Sequence, residues 1–372
     1  VSTPSTPIPQ DSFSGDITAA PPAPVVVTDP DNPPWGVGMA ILVWVINIGS
    51  MIFIPLVALI PYFVIRIKGG ADIQQVGQAI GSDPVALLIT LVATVPAHVL
   101  TLFVIWAIVT RLGKRPFWRT IGWSWGGRFG FWWSVVTSIG LLALGILITN
   151  YFGGQKTPFD EMLESSTAAR FTTAALATLS APLVEELVFR GIIYPALQRA
   201  FARLIAFLKA MISPLRPSTY GDGGVTVQTV GVLGFLKTLP LRVIQAVLTF
   251  FGTLDARQGG MLWSIIIVSA LFLSVHIPQY QNNLAVIAAV GMLSVVLTTV
   301  RALTGRVLPC FIIHLVFNSV QVAGLIYEYF QPGKPAGDTK AGLIIIVHHL
   351  STLAPQLSKL STQLSAVSFF HF

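Results

Sequence analysis

Runs of about 20 apolar residues recur along this 372-residue chain, and that is the length a helix needs to cross the hydrocarbon of a bilayer. They lie near Val37–Ile65, Pro84–Thr110, Phe131–Tyr151, Ala169–Leu197, Met261–Ile277, Leu284–Val300 and Leu308–Tyr327. Lipid offers the backbone no hydrogen bonds, so every N–H and C=O of such a run must be satisfied internally, which restricts it to helix. The composition agrees, with 53% hydrophobic and only 10% charged residues, where a soluble domain carries about 25% charged. The fold expected is all-α: a polytopic transmembrane helical bundle of about seven spans, with interfacial helices. Pro55 and Pro96 fall inside the first two runs and predict kinks there. The fifth and sixth runs are short, which leaves a re-entrant or steeply placed connection open.

Four regions follow from the composition. Residues 1–34 are rich in Pro, Ser and Thr and hold no Lys or Arg, which predicts a disordered tail. They show no charged stretch followed by a short apolar one, so no cleaved signal peptide is expected. Residues 35–165 hold the first helices and a loop, Arg111–Gly130, that mixes Arg111, Lys114, Arg115, Arg119 and Arg128 with Trp118, Trp123 and Trp125. Such a mixture belongs at lipid headgroups. Residues 166–330 form a second bundle, interrupted by an inserted segment, 213–260, whose Pro and Gly residues predict an interfacial hairpin or gate. Residues 331–372 read as an amphipathic tail in which His348, His349 and His371 are solvated.

The net charge of +7 describes basic loops on one membrane face rather than a nucleic-acid surface, because no basic cluster sits in a soluble fold. Alternating the spans gathers fourteen Lys and Arg, Arg301 among them, on one side against six on the other. That asymmetry predicts a cytoplasmic N-terminus, and the architecture suggests a bacterial inner membrane. Cys310 is the only cysteine. It cannot form an intrachain disulfide and reads as a small buried hydrophobe.

Three polar pairs interrupt the apolar runs. In Phe171–Leu197 they are Glu185, Glu186 and Arg190; later come Phe272 with His276, and His314 with Asn318. A charge at that depth costs roughly 2.5–3.5 kcal/mol on insertion scales and marks a functional site by default. Residues four apart share a helix face, so Glu186 pairs with Arg190. Glu185 lies about 100° round and escapes that pairing, which leaves its carboxylate free to act as a general base. His314 and Asn318 also share a face and supply N–H donors of the kind that stabilise an oxyanion. His276, with Phe272 packed beneath it, could share the attacking water with Glu185. Carboxylate, two imidazoles and an amide suffice for amide hydrolysis by activated water. His98, alone beside Pro96, reads as hydrogen-bonded packing.

The order EExxxR, FxxxH, HxxxN resembles the CPBP family of intramembrane endopeptidases, which includes the type II CAAX prenyl proteases and the bacterial Abi proteins. APLVEELVFRG at Ala181–Gly191, ALFLSVHIP at Ala270–Pro278 and LTGRVLPCFIIHLVFNSV at Leu303–Val320 resemble its three motifs. The likeness spans about Thr167–Tyr327. It implies a protease of membrane-associated proteins or peptides, with Glu185 and His276 acting on water, His314 and Asn318 as oxyanion site, and Glu186 with Arg190 as support. Members have long been described as metalloproteases, and Glu185, His276 and His314 could ligate zinc with one position open. The metal-free mechanism is preferred, because no second carboxylate or cysteine completes a metal shell. The interval from Arg190 to His276 exceeds that of the compact family core, and 213–260 accounts for the excess.

Two rival readings remain. A non-catalytic scaffold or partner-binding subunit would use the N-terminal tail and the 213–260 insertion to dock a protein partner. A transporter fits intramembrane charge in general but lacks paired broken helices. One geometric difficulty also stands. Simple alternation puts His276 at the opposite level of the membrane from Arg190 and His314, so the fifth helix must tilt or the next loop must dip.

Overall fold

The computed structural model describes residues 29–127, 129–152, 155–212, 255–281 and 283–330. Most of the expected N-terminal tail, residues 213–254 of the insertion and the tail 331–372 lie outside the described residues. Within them the chain is helical, in the order α1 (Val37–Ala58), α2 (Ile60–Lys68), α3 (Ile73–Ala79), α4 (Pro84–Thr110), α5 (Phe117–Ile121), α6 (Phe131–Phe152), α7 (Pro158–Ser165) and α8 (Thr167–Ala175). Then follow α9 (Ala181–Glu185), α10 (Tyr194–Ile212), α11 (Ala256–His276), α12 (Leu284–Thr304) and α13 (Leu308–Tyr329). No strand is present among the described residues, which hold only one isolated bridge, between Gly126 and Phe129.

Six helical stretches are long and apolar enough to cross a membrane: Val37–Lys68, Pro84–Thr110, Phe131–Phe152, Ala256–Gln279, Leu284–Thr304 and Leu308–Tyr327. The protein is a polytopic helical membrane protein. Large apolar side chains cover its outside; Phe53 is 67% and Trp132 75% exposed, a surface that suits lipid and not water. Aromatic residues mark both ends of α6, with Trp132 and Trp133 at one and Tyr151 and Phe152 at the other. Trp133 and Tyr151 stand about 27 Å apart along the axis, close to the thickness between two interfacial belts. The expected span Ala169–Leu197 differs from the rest. It lies in an unbroken helical run, Thr167–Ile212, in which two π-helical segments, Leu176–Ser180 and Glu186–Ile193, alternate with α-helix.

Pro55 and Pro96 both lie inside helices that continue past them, and the break at Leu59 comes just before Pro61, in the first turn of α2. Residues 29–34, assigned to the tail by composition, are instead held against the bundle: Arg199 Nη1 donates to the Pro33 carbonyl at 2.6 Å and Arg301 Nη1 to Asp31 at 2.7 Å. The end of the expected insertion likewise belongs to α11, which starts at Ala256. Both short runs are therefore longer than the apolar pattern implied, at 21 residues each in α11 and α12.

The packing register reduces the difference in level. Leu273 packs on Gly291 of α12, and Cys310 Sγ lies 3.2 Å from the Leu297 carbonyl. With both neighbours antiparallel to α12, these contacts set His276 opposite residue 288 and His314 opposite residue 293, about 8 Å apart along the bundle. Helix α11 also packs against α10 near its own N-terminal end. The contact is made at Gly260, where an added Cβ would sit 2.6 Å from the Gln198 carbonyl oxygen and 3.0 Å from the Ala202 nitrogen. Substitution Gly260→Ala should force the two helices apart and cost about 1–3 kcal/mol, read as a lower thermal unfolding midpoint in detergent.

Candidate active site

The run Thr167–Ile212 starts cleanly, with Ser166 accepting from the Ala169 N–H at 3.1 Å. Its pitch then changes twice, and each change coincides with a proline. A π turn bonds residue i to residue i−5. For Pro182 that acceptor is the Ala177 carbonyl, and for Pro195 it is the Arg190 carbonyl, yet proline has no N–H to give. Both carbonyls find side chains instead. Asn318 Nδ2 donates to the Ala177 oxygen at 3.0 Å, and Arg301 Nε donates to the Arg190 oxygen at 3.1 Å. Between these two points lie Glu185, Glu186 and Arg190.

Glu186 and Arg190 are fully buried and paired, with Arg190 Nη1 3.2 Å from Glu186 Oε1. The guanidinium also donates through Nη2 to the Ser294 hydroxyl at 2.8 Å and the Ser294 carbonyl at 3.1 Å. It lies 4.6 Å from the centre of the Phe272 ring, a cation–π contact. The same Glu186 oxygen receives His314, whose Nδ1 is 2.8 Å away. One carboxylate therefore ties together the first and third motifs.

Glu185 is apart from this pairing and lies between the two imidazoles. Its Oε2 is 3.9 Å from His276 Nε2 and 3.8 Å from His314 Nε2. Both gaps exceed a direct hydrogen bond, and this buried oxygen has no hydrogen-bond partner among the described residues. The other ring nitrogens fix the tautomers. His276 Nδ1 is 2.7 Å from the Phe272 carbonyl, which only accepts, so Nδ1 carries the proton. His314 Nδ1 faces the Glu186 carboxylate and carries its proton too. In the neutral imidazoles both Nε2 lone pairs accordingly point towards Glu185. The Phe272 ring stacks on His276 with centroids 4.4 Å apart and meets His314 edge-on at 6.0 Å.

All six residues singled out by the motifs, Glu185, Glu186, Arg190, His276, His314 and Asn318, thus belong to one neighbourhood. Asn318 is the least direct, since one of its two N–H donors serves the Ala177 carbonyl. His98 is buried with Nδ1 3.0 Å from the Ser180 hydroxyl, a packing bond. Cys310 is buried as expected. Glu185, His276 and His314 carry suitable zinc donors, with their Nδ1 protons held as a metal site would require. Even so, no three His, Cys, Asp or Glu side chains among the described residues are grouped so as to hold an ion.

Ser294, Arg301, Asp31 and Trp35 escaped the motif reading. Arg301 was counted among basic residues facing the cytoplasm, but its side chain is fully buried in the last turn of α12. The one signal available was spacing. Ser294 and Arg301 are seven residues apart, two helical turns on one face, and an arginine on that face needs an acceptor.

Residues 167–220 and 224–320 match the family model described as type II CAAX prenyl endopeptidase Rce1-like. No curated protein and no solved structure matches the chain. The resemblance to the CPBP and CAAX proteases holds over the region that carries all three motifs.

Removing Arg190 alone strands the Glu186 charge. Arg190→Met should cost about 3–5 kcal/mol of stability. The double variant Arg190→Met/Glu186→Gln should lose less than Arg190→Met alone, as measured by thermal unfolding in detergent.

Proposed function

On the footing of this match to the type II CAAX prenyl endopeptidase family, we propose that this integral membrane protein is an intramembrane endopeptidase. It hydrolyses a peptide bond of a membrane-associated protein or peptide near the bilayer surface, by a glutamate-activated water. The observation that carries the reading is the Glu185 Oε2 atom, which has no hydrogen-bond partner among the described residues and lies within 4 Å of both imidazole Nε2 atoms. A general base needs such an uncommitted oxygen within reach of the water it activates.

Water lies between Glu185 and the bare Nε2 of His276. Glu185 takes its proton, the resulting hydroxide adds to the scissile carbonyl, and the same proton passes to the departing amine as the C–N bond breaks. The oxyanion is met by the second N–H of Asn318 and by Nε2–H of His314 in its imidazolium form, whose charge Glu186 balances. Since neutral His314 presents a lone pair at Nε2, donation requires this second proton. Glu186 and Arg190 position His314 without touching substrate. No step passes through a metal.

Prenylated CAAX tails are the substrate class that the family name carries. The excess of basic residues expected on one face supports a cytoplasmic N-terminus, and the architecture suggests the bacterial inner membrane.

Wild-type and Glu185→Gln proteins in matched liposomes, incubated with membrane-protein extract, provide the test. New peptide termini identified by mass spectrometry should arise with wild type and fall at least about 100-fold with the variant. Equal cleavage by both folded proteins would refute the mechanism, and the absence of new termini with either would favour a scaffold. Unchelated, active protein should contain far less than one zinc per chain by elemental analysis; stoichiometric zinc would contradict the metal-free route.

A further inference from the structure

Arg301 lies outside the motifs, yet each of the three nitrogens of its fully buried guanidinium has an acceptor. Nε donates to the Arg190 carbonyl at 3.1 Å, Nη1 to Asp31 Oδ1 at 2.7 Å, and Nη2 to the Pro30 carbonyl at 3.0 Å. The group also lies 5.4 Å from the centre of the buried Tyr194 ring. A second bond ties the N-terminal segment to the same π-helical stretch, because Trp35 Nε1 donates to the Ile192 carbonyl at 3.1 Å. Arg199 anchors the segment between these points through the carbonyls of Pro33 and Trp35. Pro30 and Asp31 are packed closely against two glycines in the left-handed region. At Gly122 (φ +80°) an added Cβ would meet Pro30 at 3.0 Å, and at Gly305 (φ +67°) one would meet Asp31 at 3.3 Å.

We propose that Asp29–Trp35 is a strap that, through Arg301, positions Arg190 and hence the Glu186–His314 pair for the reaction. The inference rests on the endopeptidase reading above for its kinetic consequence, though not for its structural one. Pro195 withholds the N–H that would bond the Arg190 carbonyl in the π register, and Arg301 supplies the missing donor. Asp31 neutralises that donor and fixes its direction. With Asp31 gone, Arg301 has no counter-charge and its hold on the Arg190 carbonyl slackens. The Glu186 carboxylate, tied to Arg190, then shifts away from His314. These are positioning residues, and none of them touches the scissile bond.

The experiment uses the full chain in liposomes with the peptide that wild type is found to cleave. Asp31→Ala and Trp35→Phe should lower kcat about 10- to 100-fold, the scale of loss for slight misplacement of catalytic groups, with KM little changed. Amide hydrogen exchange over residues 186–194 should rise in both. Adding Pro195→Ala to Asp31→Ala returns a backbone donor to the Arg190 carbonyl and should restore most of kcat and of the protection. Asp83→Ala, which removes the cap of α4 and the partner of Arg66, serves as the stability control. It should lower the unfolding midpoint while leaving kcat per folded molecule and exchange at 186–194 unchanged. Strap variants with wild-type kcat and exchange would overturn the proposal, as would losses that Pro195→Ala fails to reverse. If wild type cleaves nothing, yet the strap variants raise exchange and Pro195→Ala reverses it, the endopeptidase reading falls and the strap stands.

Discussion

Inside a bilayer a backbone carbonyl without a donor has no water to turn to, and the helical run Thr167–Ile212 creates two such carbonyls by placing prolines at 182 and 195. The bundle is arranged around satisfying them. Asn318 reaches the Ala177 oxygen from α13, and Arg301 reaches the Arg190 oxygen from α12. Each bond fastens a helix that arrives late in the chain to one side of the Glu185–Arg190 segment. The polar motifs meet because the distorted helix between them is incomplete without its neighbours. π-Helical insertions cluster at functional sites generally, and here the distortion has an identifiable cause in the sequence.

Charge adds a second constraint. Glu186 is fully buried and shared by Arg190 and His314, and Asp31 is matched to buried Arg301. In a region of low dielectric each of these charges is tolerable only with its partner. If His314 becomes imidazolium while Glu185 is ionised, the two glutamates, Arg190 and His314 sum to zero. In the proposed hydrolysis, a centre that is neutral overall moves one proton between Glu185 and a peptide nitrogen without building up net charge in the membrane.

Much of this was legible in the sequence. The apolar runs located the long helices, because hydrocarbon leaves few alternatives to helix. Spacing of four residues paired Glu186 with Arg190 and separated Glu185 from both, since helix geometry decides such contacts locally. What could not be read depended on the relation between helices. The register of α11, which brings His276 near Glu185 and seats Gly260 against Gln198 and Ala202, is encoded in no local pattern. Arg301 and Asp31 are 270 residues apart, and each looked ordinary in place: one a basic residue at the end of a span, the other an acid in a Pro-rich stretch. Composition correctly flags such a stretch as unable to form its own core, but it is silent on a core supplied by the rest of the chain.

The connection between α12 and α13 is only Gly305–Val307, and it is pinned where the Val307 N–H donates to the Gly122 carbonyl at 3.0 Å. On one side of it Arg301 holds the Arg190 carbonyl; on the other His314 holds Glu186. One residue added to either helix within that interval would turn the helix by about 100° and swing one of the two side chains into lipid. The stretch from Arg301 to His314 therefore works as a ruler of fixed length. Evolution can exchange side chains along it, but it can lengthen or shorten this protein only elsewhere.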